Sequence, residues 1–227
     1  MKKSTNSFID LSHVVEDGMV TYKGLPAPII CDYLSREASR EIYTEGTEFQ
    51  IGKIEMVSNT GTYIDVPFHR YADGEDLSEV GLERLVDLPA VVVRISESEL
   101  PAVDVRHLPS PEVVSDSAIL IQTGWSKNWR TDEYFEDYPY LTGEAASYLV
   151  EHGAALVGID SFNIDAWEDK SRPVHTRVLA AGIPIIEHMT NLDVVPEHGG
   201  RLYAAPIKFK GVGTFPVRVF VQIPDGR

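Results

Sequence analysis

Asn59-Thr60-Gly61-Thr62-Tyr63-Ile64-Asp65-Val66-Pro67-Phe68-His69 is the stretch from which the rest of the sequence can be read. In an extended chain, residues two apart share a face, so Asn59, Gly61, Tyr63 and Asp65 point one way and Thr60, Thr62 and Ile64 the other. Gly61 leaves room between the polar groups. Pro67 turns the chain, and His69 follows the turn. Three polar tips on one strand face suit either a site or a solvated surface, and parity alone does not choose between them.

Outward from this strand, short extended segments dominate the first half. They are expected at Phe8–Ser12, Ala27–Tyr33, Glu48–Ser58 (with a bulge near Gly52), Thr60–Val66, Leu88–Ile95 and Ser117–Gln122. The second half alternates helix and strand. Helices are expected at Gly143–His152, closed by Gly153, and at Val174–Ala181, closed by Gly182 and Pro184. Strands are expected at Ala154–Ile159, Ile183–Glu187, Leu202–Phe209 and Thr214–Ile223. Many strands with few helices argue for a mixed α/β domain with a curled or barrel-like sheet. No internal repeat and no long Gly/Ser/Pro linker interrupts the 227 residues, so a single domain over residues 1–227 is expected.

Composition narrows the function classes. The chain is 43% hydrophobic and 24% charged, which is globular, and its formal net charge is −15. A surface that negative repels phosphate backbones and anionic headgroups, so neither nucleic acid nor membrane is expected as a partner. Met1–Ser7 carries two lysines with no apolar segment after them, and the chain is expected to be cytoplasmic. The single cysteine, Cys31, excludes an intrachain disulfide and is expected as a buried, inert thiol. Gly211-Val212-Gly213 lacks the third glycine and the following helix of a dinucleotide loop. Neither a Walker A sequence nor a Gly-x-Ser-x-Gly elbow is present.

The quoted stretch resembles the His-x-Gly-Thr-His-x-Asp-x-Pro-x-His signature of the bacterial kynurenine formamidase and cyclase family. Asp10-Leu11-Ser12, Thr123-Gly124-Trp125, Gly158-Ile159-Asp160-Ser161 with Asp165, and the pair His175 and Glu187 resemble further stretches of it. The likeness spans residues 8 to 223. It implies a swivelling β/β/α domain, a homodimer or homotetramer, and an arylformamidase-like hydrolase of the kind used in tryptophan catabolism. Carried over residue by residue, it makes Asp65, His175 and Glu187 ligands of one divalent metal (zinc, manganese or magnesium) and His69 the general acid/base. The two signature histidines are Asn59 and Tyr63 here. An amide is a weak ligand, and a phenol must lose a proton with an ordinary pKa of ~10 before it binds metal well.

Two mechanisms follow. In one, a metal on Asp65, His175 and Glu187 activates water and polarises an amide or cyclic amide/ester carbonyl of a small aromatic molecule, and His69 moves the proton. In the other, no metal binds, His69 is the base of a hydrolase, lyase or cyclase, and Tyr63 and Asn59 donate to the oxyanion. A non-catalytic ligand-binding domain is the third reading. Arg70 is a candidate partner for a substrate carboxylate, and Trp125 for a flat wall against a substrate ring.

Overall fold

The computed structural model describes residues 7–224. The lysines of the first six residues lie outside it. The strands are β1 (Ser7–Asp10), β2 (Ile29–Leu34), β3 (Ile51–Glu55), β4 (Tyr63–Asp65), β5 (Val86–Arg94), β6 (Ala102–Val103), β7 (Ala118–Gln122), β8 (Tyr140–Leu141), β9 (Leu156–Ile159), β10 (Ile185–Glu187), β11 (Gly200–Tyr203), β12 (Thr214–Pro216) and β13 (Phe220–Ile223). The α-helices among the described residues are α1 (Arg36–Ser39), α2 (Pro111–Val114), α3 (Gly143–Glu151) and α4 (Pro173–Ala180). Nine strands form one curled mixed sheet in the order β1-β13-β11-β5-β7-β9-β10-β4-β12. Its centre, β5-β7-β9-β10, is parallel, and the pairings outside it are antiparallel. The expected mixed α/β architecture with a curled sheet and few helices is the one observed.

The parallel centre is buried on both faces, as the unbroken apolar runs Ala90–Val93 and Ala118–Ile121 require. Val91, Val93, Ile119, Ile121 and Val157 face one core, shared with Leu149 of α3 and Val178 of α4. Ala90, Val92, Leu120 and Leu156 face a second core inside the curl, completed by Leu11, Leu202, Val219 and Val221. Thr142 starts α3 by accepting the Ala145 N–H on its hydroxyl at 3.1 Å. Gly153, at φ +71°, follows its end.

Several expectations change on folding. Thr214–Ile223 is not one strand: β12 pairs with β4 at one end of the sheet and β13 with β1 and β11 towards the other. The passage between them closes the curl, with Val217 N–H donating to Thr62 and Leu11 N–H to Val219. The strand expected at Leu202–Phe209 ends at Tyr203. Thr60–Val66 is extended only over β4, because Gly61 takes φ +68°, and a Cβ there would meet Val15 at 2.5 Å. That left-handed residue breaks the parity count through Asn59, so Gly61 serves the backbone rather than making room between polar groups. Cys31 is exposed, not buried, because β2 pairs only with β3 and every residue of the two strands but Leu34 is exposed.

Candidate active site

Asp65 ends β4 and is fully buried beside β10 and β12. Pro67 then starts a single 3₁₀ turn, Pro67–His69, that swings the His69 ring back over the Asp65 carboxylate, with Nδ1 at 3.8 Å from Oδ1. The antiparallel partner β10 brings Glu187 opposite Tyr63. Helix α4 delivers His175, whose Nε2 lies 3.5 Å from Asp65 Oδ2 and 3.7 Å from Glu187 Oε1. Asp65, His69, His175 and Glu187 thus meet in one place.

The orientation of each group follows from its partners. His175 Nδ1 is 2.6 Å from Asp165 Oδ2, which directs Nε2 toward Asp65. Asp165 also accepts the Val174 and His175 backbone N–H groups, at 2.7 and 3.1 Å. It therefore caps α4 from outside the helix, which Arg172 at the N-cap position, with φ +50°, does not do. Glu187 is spoken for: Oε1 accepts the Ile164 N–H at 2.6 Å and Oε2 accepts the Tyr63 hydroxyl at 2.5 Å. Thr214 Oγ1 bonds to Asp65 Oδ1 and lies 2.6 Å from His69 Nδ1. The other Asp65 oxygen, Oδ2, is buried and finds no hydrogen-bond partner among the described residues.

Electrostatics agree with this layout. Burial would raise the Asp65 carboxyl, but His69, His175 and the Thr214 hydroxyl outweigh it and hold it below its ordinary value. Burial opposes the charged form of His175, yet Glu187, Asp165 and Asp65 carry it up to about 10. Burial, then the Asp65 charge, raises Glu187 against the pull of His175. Burial, then the Glu187 charge, puts Tyr63 well above its ordinary range, so it stays a phenol. Tyr63 is a donor to Glu187 rather than a metal ligand, and its hydroxyl hydrogen is not free for an oxyanion.

The donor set fits one divalent cation. An unpartnered buried carboxylate oxygen faces an imidazole nitrogen whose ring is oriented by a second carboxylate, the arrangement that ligating histidines adopt. The donor atoms of Asp65, His69 and His175 lie within 4.8 Å of one another. Glu187 Oε1 stands 3.7 Å from His175 Nε2, and its carboxylate already accepts from Tyr63 and Ile164.

Asn59, Tyr63, His69, Arg70, His175 and Glu187 line a cavity of about 280 Å³ together with Tyr22, Leu25, Asn163 and Arg172. Trp125 is not among its lining residues: its indole N–H donates to the Tyr134 carbonyl at 3.1 Å, and it packs with the aromatic cluster of Tyr134, Tyr138 and Phe162. Sequence reading missed Thr214 and Arg172. A threonine 149 residues beyond Asp65 leaves no local pattern, and Arg172 sits in a polar run without periodicity.

The family model described as "Putative cyclase" matches residues 9–166. The chain belongs to the cyclase family. The cyclase-family chain is 28% identical over 219 residues to kynurenine formamidase of Bacillus cereus (strain ATCC 14579), covering 96% of this chain and 98% of that one. It is likewise 28% identical over 218 residues to kynurenine formamidase of Bacillus mycoides, with 96% and 98% covered. Isatin hydrolase A from Labrenzia aggregata shares the fold, with TM-score 0.82, 23% identity, and 97% and 94% of the two chains covered. A predicted metal-dependent hydrolase from Bacillus stearothermophilus superposes with TM-score 0.75 at 25% identity, over 96% and 99%.

Proposed function

We propose that the protein is a hydrolase that opens a carbon–nitrogen bond, a formamide or cyclic amide, in a small aromatic molecule, and that it works as a homodimer or homotetramer. The observation that carries this reading is the buried, unpartnered Asp65 Oδ2 facing, at 3.5 Å, the Nε2 of His175, a residue of the cavity wall. The kynurenine formamidase relatives supply the bond type and the aromatic class.

Asp65 and His175 would hold a divalent ion of the zinc or manganese kind, since a nitrogen and a carboxylate oxygen suit both. When bound, such an ion supplies Lewis-acid polarisation of a carbonyl and a lowered pKa for water. His175 must give up its proton for this, so binding releases protons.

His69 carries the proton transfer. Asp65 is ionised and can only accept, so the Thr214 hydroxyl donates to Asp65 Oδ1 and its oxygen accepts from His69 Nδ1–H. That fixes the neutral tautomer and leaves Nε2 as the free nitrogen of a ring that lines the cavity. Nε2 takes a proton from the attacking water and returns it to the leaving nitrogen. Tyr22 and Leu25 form the apolar wall for the ring, while Arg70 and Arg172 suit a carboxylate on the substrate. Asn59 keeps its amide hydrogens free among the described residues and remains the candidate oxyanion donor.

The test is hydrolysis of formanilide, N-formylkynurenine and isatin by purified protein supplied in turn with zinc, manganese and magnesium. Turnover of at least one, lost in Asp65→Asn and reduced at least roughly 100-fold in His69→Ala, supports the assignment. No turnover of any under all three ions overturns it. Turnover that survives complete chelation would favour the metal-independent form, in which the Asp65–Thr214–His69 chain acts alone.

A further inference from the structure

A second cavity, of about 830 Å³, lies beside the catalytic one and takes no part in the proposed chemistry. The two share walls. Tyr22 and Leu25 line the catalytic cavity, whereas Lys23 and Gly24 line the second. In the loop before α4, Asn163 and Arg172 line the first, and Trp167 and Glu168 the second. The link is also a bonded one: Tyr138 lines the second cavity, and its hydroxyl donates at 3.2 Å to the carbonyl of Asp165, the residue that orients His175.

Its lining has a definite chemistry. Phe135, Tyr138, Tyr140, Phe162 and Trp167 supply aromatic surface. Phe162 is fixed in place, buried, with Tyr138 and Phe135 edge-on to it at 5.0 and 5.2 Å. Trp167, by contrast, is 47% exposed, an expanse of indole that folding leaves uncovered. Three carboxylates line the same space, Glu136, Asp137 and Glu168, against one ammonium, Lys23. Lys23 pairs with Glu136 at 3.1 Å, and Asp137 and Glu168 line the space without an ion-pair partner among the described residues. Asp137 holds a left-handed backbone, φ +47°. The Trp167 ring already draws cations: the Lys170 ammonium lies 4.0 Å and the Arg172 guanidinium 5.7 Å from its centroid. Aromatic faces combined with surplus carboxylate recognise a flat ring that carries a positive charge, since both the ring quadrupole and the carboxylates attract the cation.

We infer that this second cavity is a binding site for an aromatic ammonium compound, separate from the catalytic cavity and of opposite charge preference. The catalytic cavity, with Arg70 and Arg172, favours an anionic group; the second favours a cationic one.

Phenethylammonium chloride is a suitable probe, titrated calorimetrically at neutral pH and low salt, with 3-phenylpropionate as the anionic ring of similar size. The expected result is saturable binding of one phenethylammonium per chain. Binding should be weakened roughly tenfold by Trp167→Leu, a loss in keeping with one cation–π contact, weakened also by Glu168→Gln, and unchanged by Asp65→Asn in the catalytic cavity. Absence of binding overturns the inference. So does equal or tighter binding of 3-phenylpropionate that responds to Trp167→Leu. Binding lost in Asp65→Asn and untouched by Trp167→Leu and Glu168→Gln places the probe in the catalytic cavity and overturns it as well. Trp167 and Glu168 stand at the surface, so both variants retain the fold, which circular dichroism checks.

Discussion

At Thr214 a single hydroxyl ties two site residues together. Its hydrogen goes to Asp65 and its oxygen lies 2.6 Å from His69 Nδ1, so the threonine decides which imidazole nitrogen faces the cavity. Thr214→Val keeps the shape and removes the relay. We expect kcat to fall about 100-fold or more with KM little changed, and Thr214→Ser to restore most of it; steady-state kinetics on a turned-over formanilide checks both. Gly213 explains how Thr214 comes so close. A Cβ there would lie 2.2 Å from the His69 backbone nitrogen, so only glycine lets this strand run against the 3₁₀ turn. Of the glycines at 211 and 213, which look in sequence like a failed dinucleotide loop, Gly213 serves this approach and Gly211 supplies a left-handed backbone at φ +73°. His188 makes a different prediction. It is fully buried, Tyr134 OH lies 3.1 Å from its Nδ1, and burial lowers it to about 3. The unfolded chain therefore takes up a proton near pH 6.5 that the folded chain refuses, so His188 contributes stability above that pH and loses it as the pH falls toward 3. Asp160, raised by burial to about 6, acts in the opposite sense, so the clean measurement is a difference. Asn suits the φ of +57° at this position. Below pH 6.5 the parent should lose stability relative to His188→Asn by about 1.4 kcal/mol per pH unit, read from urea unfolding at stepped pH. Parallel stability curves for the two proteins would refute this account of His188.

Elements are held by residues outside them. The N-terminus of α4 is satisfied by Asp165, which bonds both its first free N–H groups and the His175 ring. One carboxylate thus starts the helix and aims its ligating residue. Asp165→Asn keeps the shape but weakens both functions. It should cost about 1–3 kcal/mol in chemical denaturation, and it should reduce metal affinity roughly 10- to 100-fold, as changes behind a ligating histidine do. Calorimetric titration with zinc separates the two effects: a variant that unfolds earlier yet binds zinc as tightly as the parent would show that Asp165 only caps the helix. The same scale accounts for the divided strand. Alternation over Val217, Val219 and Val221 is real, and all three are buried. Alternation reports which side chains face inward; it carries no record of which strand lies alongside. The chain therefore passes from β12 beside β4 to β13 beside β1 with its apolar rhythm unbroken.

For the whole molecule, the hairpin of β2 and β3 stands out. Tyr33, Ile54 and Ile29 are 77%, 61% and 52% exposed, and Ile42, Phe49 and Ile51 beside them are also exposed. A two-stranded hairpin has little stability of its own, and this one leaves apolar side chains open on both faces, Ile29 on one and Ile54 on the other. This supports the proposed homo-oligomer. Sedimentation velocity at micromolar concentration should show a dimer or tetramer, and Tyr33→Asp with Ile54→Lys should shift it to monomer. A monomer in the parent protein would remove the hairpin as an assembly surface. Among the described residues no helix is long and apolar enough to cross a membrane. The charge of −15 leaves the two arginines of the catalytic cavity as a local exception to the overall sign.

By itself the sequence determined the local grammar of this protein: the buried parallel strands, the helices with their glycine ends, and the Asp65-Val66-Pro67-Phe68-His69 run that names the family and places two of the reacting groups. These are encoded by neighbours, through periodicity, steric limits and turn chemistry. The tertiary structure decided everything that depends on distant partners. It brought Thr214 to His69 and the hydroxyl of Tyr63 onto Glu187; it moved Trp125 away from the cavity and turned Cys31 outward. Such choices follow from how a curled sheet closes on itself, and closure joins residues 100 or more positions apart, beyond the reach of any local pattern.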